Sequence, residues 1–279
     1  MPELPEVETV ARGLARVWPG RLLTEVQVRR SGLRRPFPPD FAARLTGQRF
    51  VSVGRRAKYL LARFESGLVL LGHLGMSGRM VISLRRNEPP GPHDHVAFLT
   101  EEGTMVTLVD PRRFGLLDLS DEATLAAHPL LADLGPEPLE PGFDAACLGA
   151  ALAGKASAIK LALLDQRLVA GLGNIYVCES LFRAGISPFR PAGSLTEAER
   201  LRLVAEIKAV LTEAIAAGGS TLRDHLQPDG TLGYFQHAFR VYGRAGESCP
   251  DCPGLPTCSG IQRTLQGGRS TFHCAWRQR

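Results

Sequence analysis

No stretch of this chain is apolar enough for long enough to cross a membrane, and none sets a basic region ahead of an apolar core as a signal peptide does. The N-terminus carries Glu3, Glu6 and Glu8 instead. Internal repeats are lacking, and so is any low-complexity tract long enough to suggest disorder. A chain without an export signal is expected in the cytoplasm, where thiols stay reduced. Its six cysteines therefore read as metal ligands or buried small residues rather than disulfides.

What is present is an ordinary globular composition, 44% hydrophobic and 22% charged, over 279 residues. That length exceeds the usual single core and predicts two domains, although one large β domain is also compatible with it. The net charge is +5, and it is unevenly placed: from Arg240 to Arg279 six arginines face only Glu247 and Asp251. Clustered arginine is the footprint of phosphate binding, but it is also compatible with a solvated surface.

Periodicity divides the chain. Val7, Val10, Leu14 and Val17 recur at helical spacing after Pro5, and Pro19-Gly20 ends the pattern. From about 21 to 119 the pattern becomes short β-rich runs, at 22–28, 59–64, 68–71, 80–84, 95–100 and 105–109. Such runs predict an antiparallel sandwich or barrel. A proline-bearing connection over 121–141 follows, and then helices. The clearest helix starts after Thr196, where Thr196 and Glu199 fit a capping box, and Gly218-Gly219 stop it. The fold class is α+β: an N-terminal helix and antiparallel β-sandwich over 1–133, a helical domain over 134–234, and a cysteine-bearing β tail over 235–279.

Pro2 and Glu3 lie just ahead of the helix that Pro5 opens. A free amine on Pro2, exposed once Met1 is removed, would share the positive end of a helix dipole with a carboxylate. An α-amine titrates nearer neutrality than lysine and is a competent nucleophile toward an electrophilic carbon. A plain proline-rich helix entry fits the same few residues.

The string MPELPEVETV resembles the N-terminus of the formamidopyrimidine-DNA glycosylase family, known as Fpg or MutM. Further matches follow in order: AKYL from Ala57, GHLGMSG from Gly72, DPRRFG from Asp110, LLDQRLVAGLGNIY from Leu163, and GYFQ and VYGR between Gly233 and Arg244. The resemblance implies a bifunctional glycosylase and abasic-site lyase acting as a monomer on double-stranded DNA that contains a damaged base. It would excise oxidised purines such as 8-oxoguanine and formamidopyrimidines, in the cytoplasm at the nucleoid.

By matched position, Pro2 would attack C1′ and form a Schiff base, Glu3 would shuttle protons, and Glu6 would support both. Lys58 and His73 would hold phosphate beside the lesion. Met76, Arg112 and Phe114 would fill the stack vacated by the extruded nucleotide, whose unstacking costs roughly a few kcal/mol. Asn174, in a helix-two-turn-helix element, Arg263 and the hairpin residue Arg269 would bind phosphate. Ser220, Leu222, Arg223, Asp224 and His225 would form the lesion-recognition loop.

The tail departs from the family pattern of two Cys-x-x-Cys knuckles. Cys249 and Cys252 form the first, but Cys274 is followed three residues later by Arg277 where a cysteine is expected. An inserted PGLPTCS brings in Cys258, so the expectation is one tetrahedral zinc on Cys249, Cys252, Cys258 and Cys274. A metal-free hairpin with Cys258 incidental, or a site that uses His273, remains open at this stage. So do two rival functions: a paralogue acting on oxidised pyrimidines or abasic sites, and a lesion-binding protein without catalysis. Cys147 and Cys178 read as buried small residues.

Overall fold

The computed structural model describes residues 2–84, 89–220, 228 and 233–279. Leu222, Arg223, Asp224 and His225 of the expected lesion loop lie outside the described residues.

Two compact units emerge. The first runs to Ala132 and also takes in Ala217–Gln236; the second comprises Asp133–Ala216 and His237–Arg279. Neither unit is one continuous stretch of the chain. The segment after the long helix returns to the first unit, and the cysteine tail packs with the helices.

The first unit begins with α1 (Leu4–Leu14), whose apolar stripe of Val7, Val10, Ala11 and Leu14 is buried. Then come β1 (Leu23–Val28), a short α2 (Phe41–Leu45), β2 (Phe50–Arg56), β3 (Tyr59–Phe64), β4 (Leu68–His73), β5 (Arg79–Leu84), β6 (Asp94–Thr100), β7 (Thr104–Val109) and β8 (Leu116–Asp121). They form two antiparallel sheets, ordered β1-β6-β7-β5 and β2-β3-β4-β8. Inward residues from both sheets, with α1, make one core that includes Leu60, Leu70, Met80, Val96, Phe98, Val106 and Leu117. This is the expected sandwich.

Trp18 anchors that core, stacked on Phe50 at 4.5 Å and edge-on to Phe98 at 5.7 Å. Each such pair adds about 0.5–1.5 kcal/mol beyond its area. The sequence pattern missed β2, whose Arg55 and Arg56 sit on an only partly buried strand without clean alternation.

The second unit contains α3 (Ala145–Leu152), α4 (Ile159–Leu164), α5 (Asn174–Ala184), α6 (Glu197–Ala216) and the hairpin β9 (Gln262–Gln266) with β10 (Arg269–His273). The capping box before α6 forms as expected: Thr196 N donates to Glu199 Oε2 at 2.8 Å and Glu199 N to Thr196 Oγ1 at 3.3 Å. Between α4 and α5 the turn closes on Gln166. Its amide donates to the carbonyls of Leu164 (3.1 Å) and Leu172 (2.8 Å), and its oxygen accepts from Gly171 N at 2.9 Å. The two helices are thus locked into one element, and Gln166 is the side chain that locks them.

Candidate active site and nucleic-acid interface

Glu3 is the N-cap of α1, and Glu6 stands three residues on, so a capping box forms with carboxylates at both ends: Glu3 N donates to Glu6 Oε2 at 2.9 Å. Pro2, Glu3 and Glu6 are all buried. The other oxygen of Glu6, Oε1, accepts from Ser220 N at 2.9 Å and Ser220 Oγ at 2.8 Å. Buried carboxylates at a helix N-terminus are favoured by the orphan N–H groups there and by the dipole. Gly219 makes the close approach possible. Its φ is +80°, and an added Cβ would lie 3.3 Å from the Glu6 side chain.

Lys58 lies in the β2–β3 turn after Ala57, whose φ is +51°, and is buried rather than solvent-facing. His73 ends β4 opposite Tyr59. Its pKa is pushed down to about 4, first by burial and then by the charges of Lys58 and Arg34. The ring is therefore neutral at pH 7, and its tautomer follows from one contact. Gly75 N donates to His73 Nδ1 at 2.9 Å, so the ring proton sits on Nε2, a donor suited to an anion. On α1, Glu8 meets Arg12 and Arg55 at 2.8 and 3.0 Å. Burial raises the Glu8 pKa, but these hydrogen bonds prevail and hold it below the ordinary carboxylate range.

Met76 and Phe114 are 41% and 44% exposed, a large share for apolar side chains of this size. The Arg112 guanidinium carbon stands 5.1 Å from the Phe114 ring centroid. An apolar pair with an attached cation suits insertion between bases.

In the second unit, Asn174 opens α5 and donates from Nδ2 to the Ser270 carbonyl at 2.9 Å. Lys160, fully buried, donates to the same carbonyl at 3.1 Å and to Thr271 Oγ1 at 2.7 Å. Its pKa is lowered, mainly by burial and then by Arg269, against an opposing effect of Cys178. Sequence reasoning passed over Lys160; the only signal was a lone charge among the apolar residues of α4. Asn174 and Lys160 fix the backbone beside exposed Arg269, and Arg263 donates from Nε to Ser270 Oγ at 2.9 Å.

The sulfurs of Cys249, Cys252, Cys258 and Cys274 all lie within 4.8 Å of one another. A tetrahedral zinc with bonds near 2.3 Å sets its sulfurs about 3.8 Å apart, so the four fit one ion. Gly260 N donates to Cys258 Sγ at 3.4 Å, and burial among the neighbouring thiols pushes the Cys252 thiol up. A divalent cation would supply the missing compensation. His273 stands outside this group, against Phe189 and Thr264. Arg277, at the position where the family pattern expects a cysteine, makes other contacts. It pairs with Asp251 at 3.1 Å, donates to the Arg183 carbonyl at 3.0 Å and lies over the Phe182 ring at 5.6 Å. Cys178 is buried and Cys147 half-buried.

Comparison with known proteins points one way. The family model described as the formamidopyrimidine-DNA glycosylase N-terminal domain matches residues 1–117, and the one described as the formamidopyrimidine-DNA glycosylase H2TH domain matches 134–225. The chain is 59% identical over 281 residues to formamidopyrimidine-DNA glycosylase of Rhodospirillum rubrum and 58% over 290 residues to that of Rhodospirillum centenum, with full coverage of both sequences in each case. Among solved structures, MutM (Fpg) from Thermus thermophilus aligns with a TM-score of 0.87 at 43% identity, over 99% of this chain and 98% of that one. A Lactococcus lactis Fpg mutant in complex with Fapy-dG DNA aligns with a TM-score of 0.89 at 32% identity, over the whole of both chains.

Proposed function

The chain belongs to the formamidopyrimidine-DNA glycosylase family, and from that premise we propose that Pro2, freed of Met1, is its nucleophile. The protein is a DNA glycosylase of oxidised-purine repair that binds DNA carrying a damaged base. The Pro2 nitrogen lone pair attacks C1′ of the extruded nucleotide, and the bond from C1′ to the base breaks with its electron pair on the base. Glu3 protonates the opening sugar oxygen. Loss of the amine proton leaves an iminium, a proton then leaves C2′, and the 3′ phosphate departs, nicking the strand.

The observation that carries this reading is the buried capping box. Glu6 has both oxygens engaged, so it holds the Pro2–Glu3 segment in place and leaves the chemistry to its neighbours. Lys58 and the Nε2–H of neutral His73 hold phosphate beside the lesion. Within the second unit, Asn174, Arg263 and Arg269 bind phosphate, and the N-terminus of α5 adds its dipole. Met76, Arg112 and Phe114 fill the vacated stack.

One zinc held by Cys249, Cys252, Cys258 and Cys274 would neutralise the thiolates and brace the hairpin that bears Arg269; its part is structural. Among the described residues no helix is long and apolar enough to cross a membrane. The protein acts as a monomer in the cytoplasm, at the nucleoid.

Borohydride trapping on a duplex with 8-oxoguanine opposite cytosine tests the reading, with abasic and undamaged duplexes alongside. A covalent adduct on the oxidised duplex that is lost in Pro2→Gly supports it. Trapping on abasic DNA alone overturns the substrate assignment, and trapping on none, from protein lacking Met1, overturns the chemistry.

A further inference from the structure

The two loops that carry the stack-filling side chains are not independent. Met76 sits in the tight turn after β4, closed by Gly78 N donating to the Leu74 carbonyl at 2.8 Å. Arg112 and Phe114 sit in the loop between β7 and β8. Between the loops lies a buried polar cluster that the sequence did not single out. Ser77 Oγ donates to Asp110 Oδ1 at 2.6 Å, and the same hydroxyl accepts from Arg112 N at 3.1 Å. Asp110 Oδ2 accepts from Gly115 N at 2.8 Å. The Asp110 carbonyl takes His95 Nε2 at 2.8 Å and Arg113 N at 3.2 Å. Asp110 is fully buried and Ser77 nearly so.

Backbone contact completes the junction. Gly75 has φ +62°, and a Cβ there would overlap the Phe114 carbonyl carbon and fall 2.5 Å from Gly115 N. The main chains of the two loops therefore touch, and only glycine permits it. Arg113, between the two inserting residues, is itself held at φ +58°. Left-handed backbone at a non-glycine residue persists where its surroundings impose it.

We infer that Ser77 and Asp110 are positioning residues that join the two loops, so that Met76 and Phe114 enter the duplex as one body. This rests on the reading that Met76, Arg112 and Phe114 fill the vacated stack. The physical reason is directional. A wedge gains only if its side chains arrive together in the gap, and a loop that must be ordered during insertion loses conformational entropy at that moment. Here the ordering is already present in the free protein, because one serine hydroxyl spans the Asp110 side chain and the backbone that presents Arg112. Removing it leaves a buried carboxylate oxygen and a backbone N–H without their partner.

The test compares single-turnover base release from 8-oxoguanine stably paired with cytosine and from the same lesion with mismatched flanks that leave it already unstacked. Ser77→Ala is expected to slow release from the paired lesion about tenfold or more, and from the unstacked lesion far less. Asp110→Asn should be milder, because its oxygen can still meet Gly115 N and its amide nitrogen can donate to the serine hydroxyl; it serves also if Ser77→Ala folds poorly. A double-mutant cycle on Met76→Ala and Phe114→Ala should show strong non-additivity that shrinks in the Ser77→Ala background. If Met76→Ala and Phe114→Ala leave the paired-lesion rate intact, the stack-filling reading itself fails. If they slow it but Ser77→Ala affects paired and unstacked lesions equally, or the coupling persists, the junction is only structural and the inference is overturned.

Discussion

Ser220 gives both its backbone N–H and its hydroxyl to a single oxygen of Glu6, 214 positions earlier in the chain. The bidentate contact ties Ser220, the first residue of the expected lesion loop, to the first turn of α1. Ser220→Ala should lower stability by about 1.5–3 kcal/mol, since one hydrogen bond to a buried carboxylate is lost while the backbone one remains. Denaturant midpoints measure that loss, and a Ser220→Thr variant that keeps the hydroxyl should recover part of it.

On the proposed mechanism, Glu3→Gln removes the proton donor while preserving the shape of the N-cap. Base release from the oxidised duplex should fall by about a hundredfold or more, and affinity for the same duplex should change little. Rapid-quench rates beside equilibrium binding separate the two; equal losses in both would reduce Glu3 to a binding residue.

His73 makes a pH prediction. Its pKa in the folded protein, about 4, lies below the ordinary 6.5. Between those values the unfolded chain holds a proton that the folded one does not. The stability associated with the neutral ring is therefore present above pH 6.5 and lost as pH falls toward 4. The loss from about pH 7 to about pH 5 is about 2 kcal/mol. Urea midpoints at the two pH values should converge in His73→Gln relative to the parent protein.

Arg269→Ala should weaken binding to damaged and undamaged duplexes alike and reduce the salt slope by about one, because a phosphate contact carries no sequence information. Lys160→Met tests whether the hairpin must be held from beneath. The Ser270 carbonyl then keeps only the Asn174 contact among the described bonds, and affinity should fall without a comparable change in slope.

Cys258 tests the ligand set. Cys258→Ser should bind zinc far more weakly than the parent protein in competition with a chromogenic chelator, whereas Cys147→Ser should bind it equally well. Parent protein freed of metal should lose protection of the β9–β10 amides against hydrogen exchange. Equal zinc content in Cys258→Ser and the parent would return the site to three sulfurs and another ligand.

Much of this was legible in the sequence because it was written locally. The capping box at Thr196/Glu199, the helix opened by Pro5 and the runs that became β3, β6 and β7 rest on spacing a reader can count. Lys58, Met76, Arg112 and Phe114 came from resemblance, and burial or exposure then gave them physical sense. What escaped was written in tertiary contacts. Gln166, Lys160, Ser77 and Asp110 are ordinary polar residues until the fold places a carbonyl, hydroxyl or amide against them. That 217–236 group with a unit begun far earlier in the chain likewise has no local signal.

That return has a consequence for biosynthesis. When Ala132 has been made, the first unit still lacks Ser220 and the segment around it, and the whole of Asp133–Ala216 must be translated before Ala217 appears. At the usual pace of about 5–20 residues per second this is a delay of roughly 4–17 seconds. Throughout it the sandwich can be assembled while one oxygen of the Glu6 carboxylate still lacks both Ser220 donors. The nascent protein can therefore own its β core on the ribosome before the N-terminus proposed to do the chemistry is fully set.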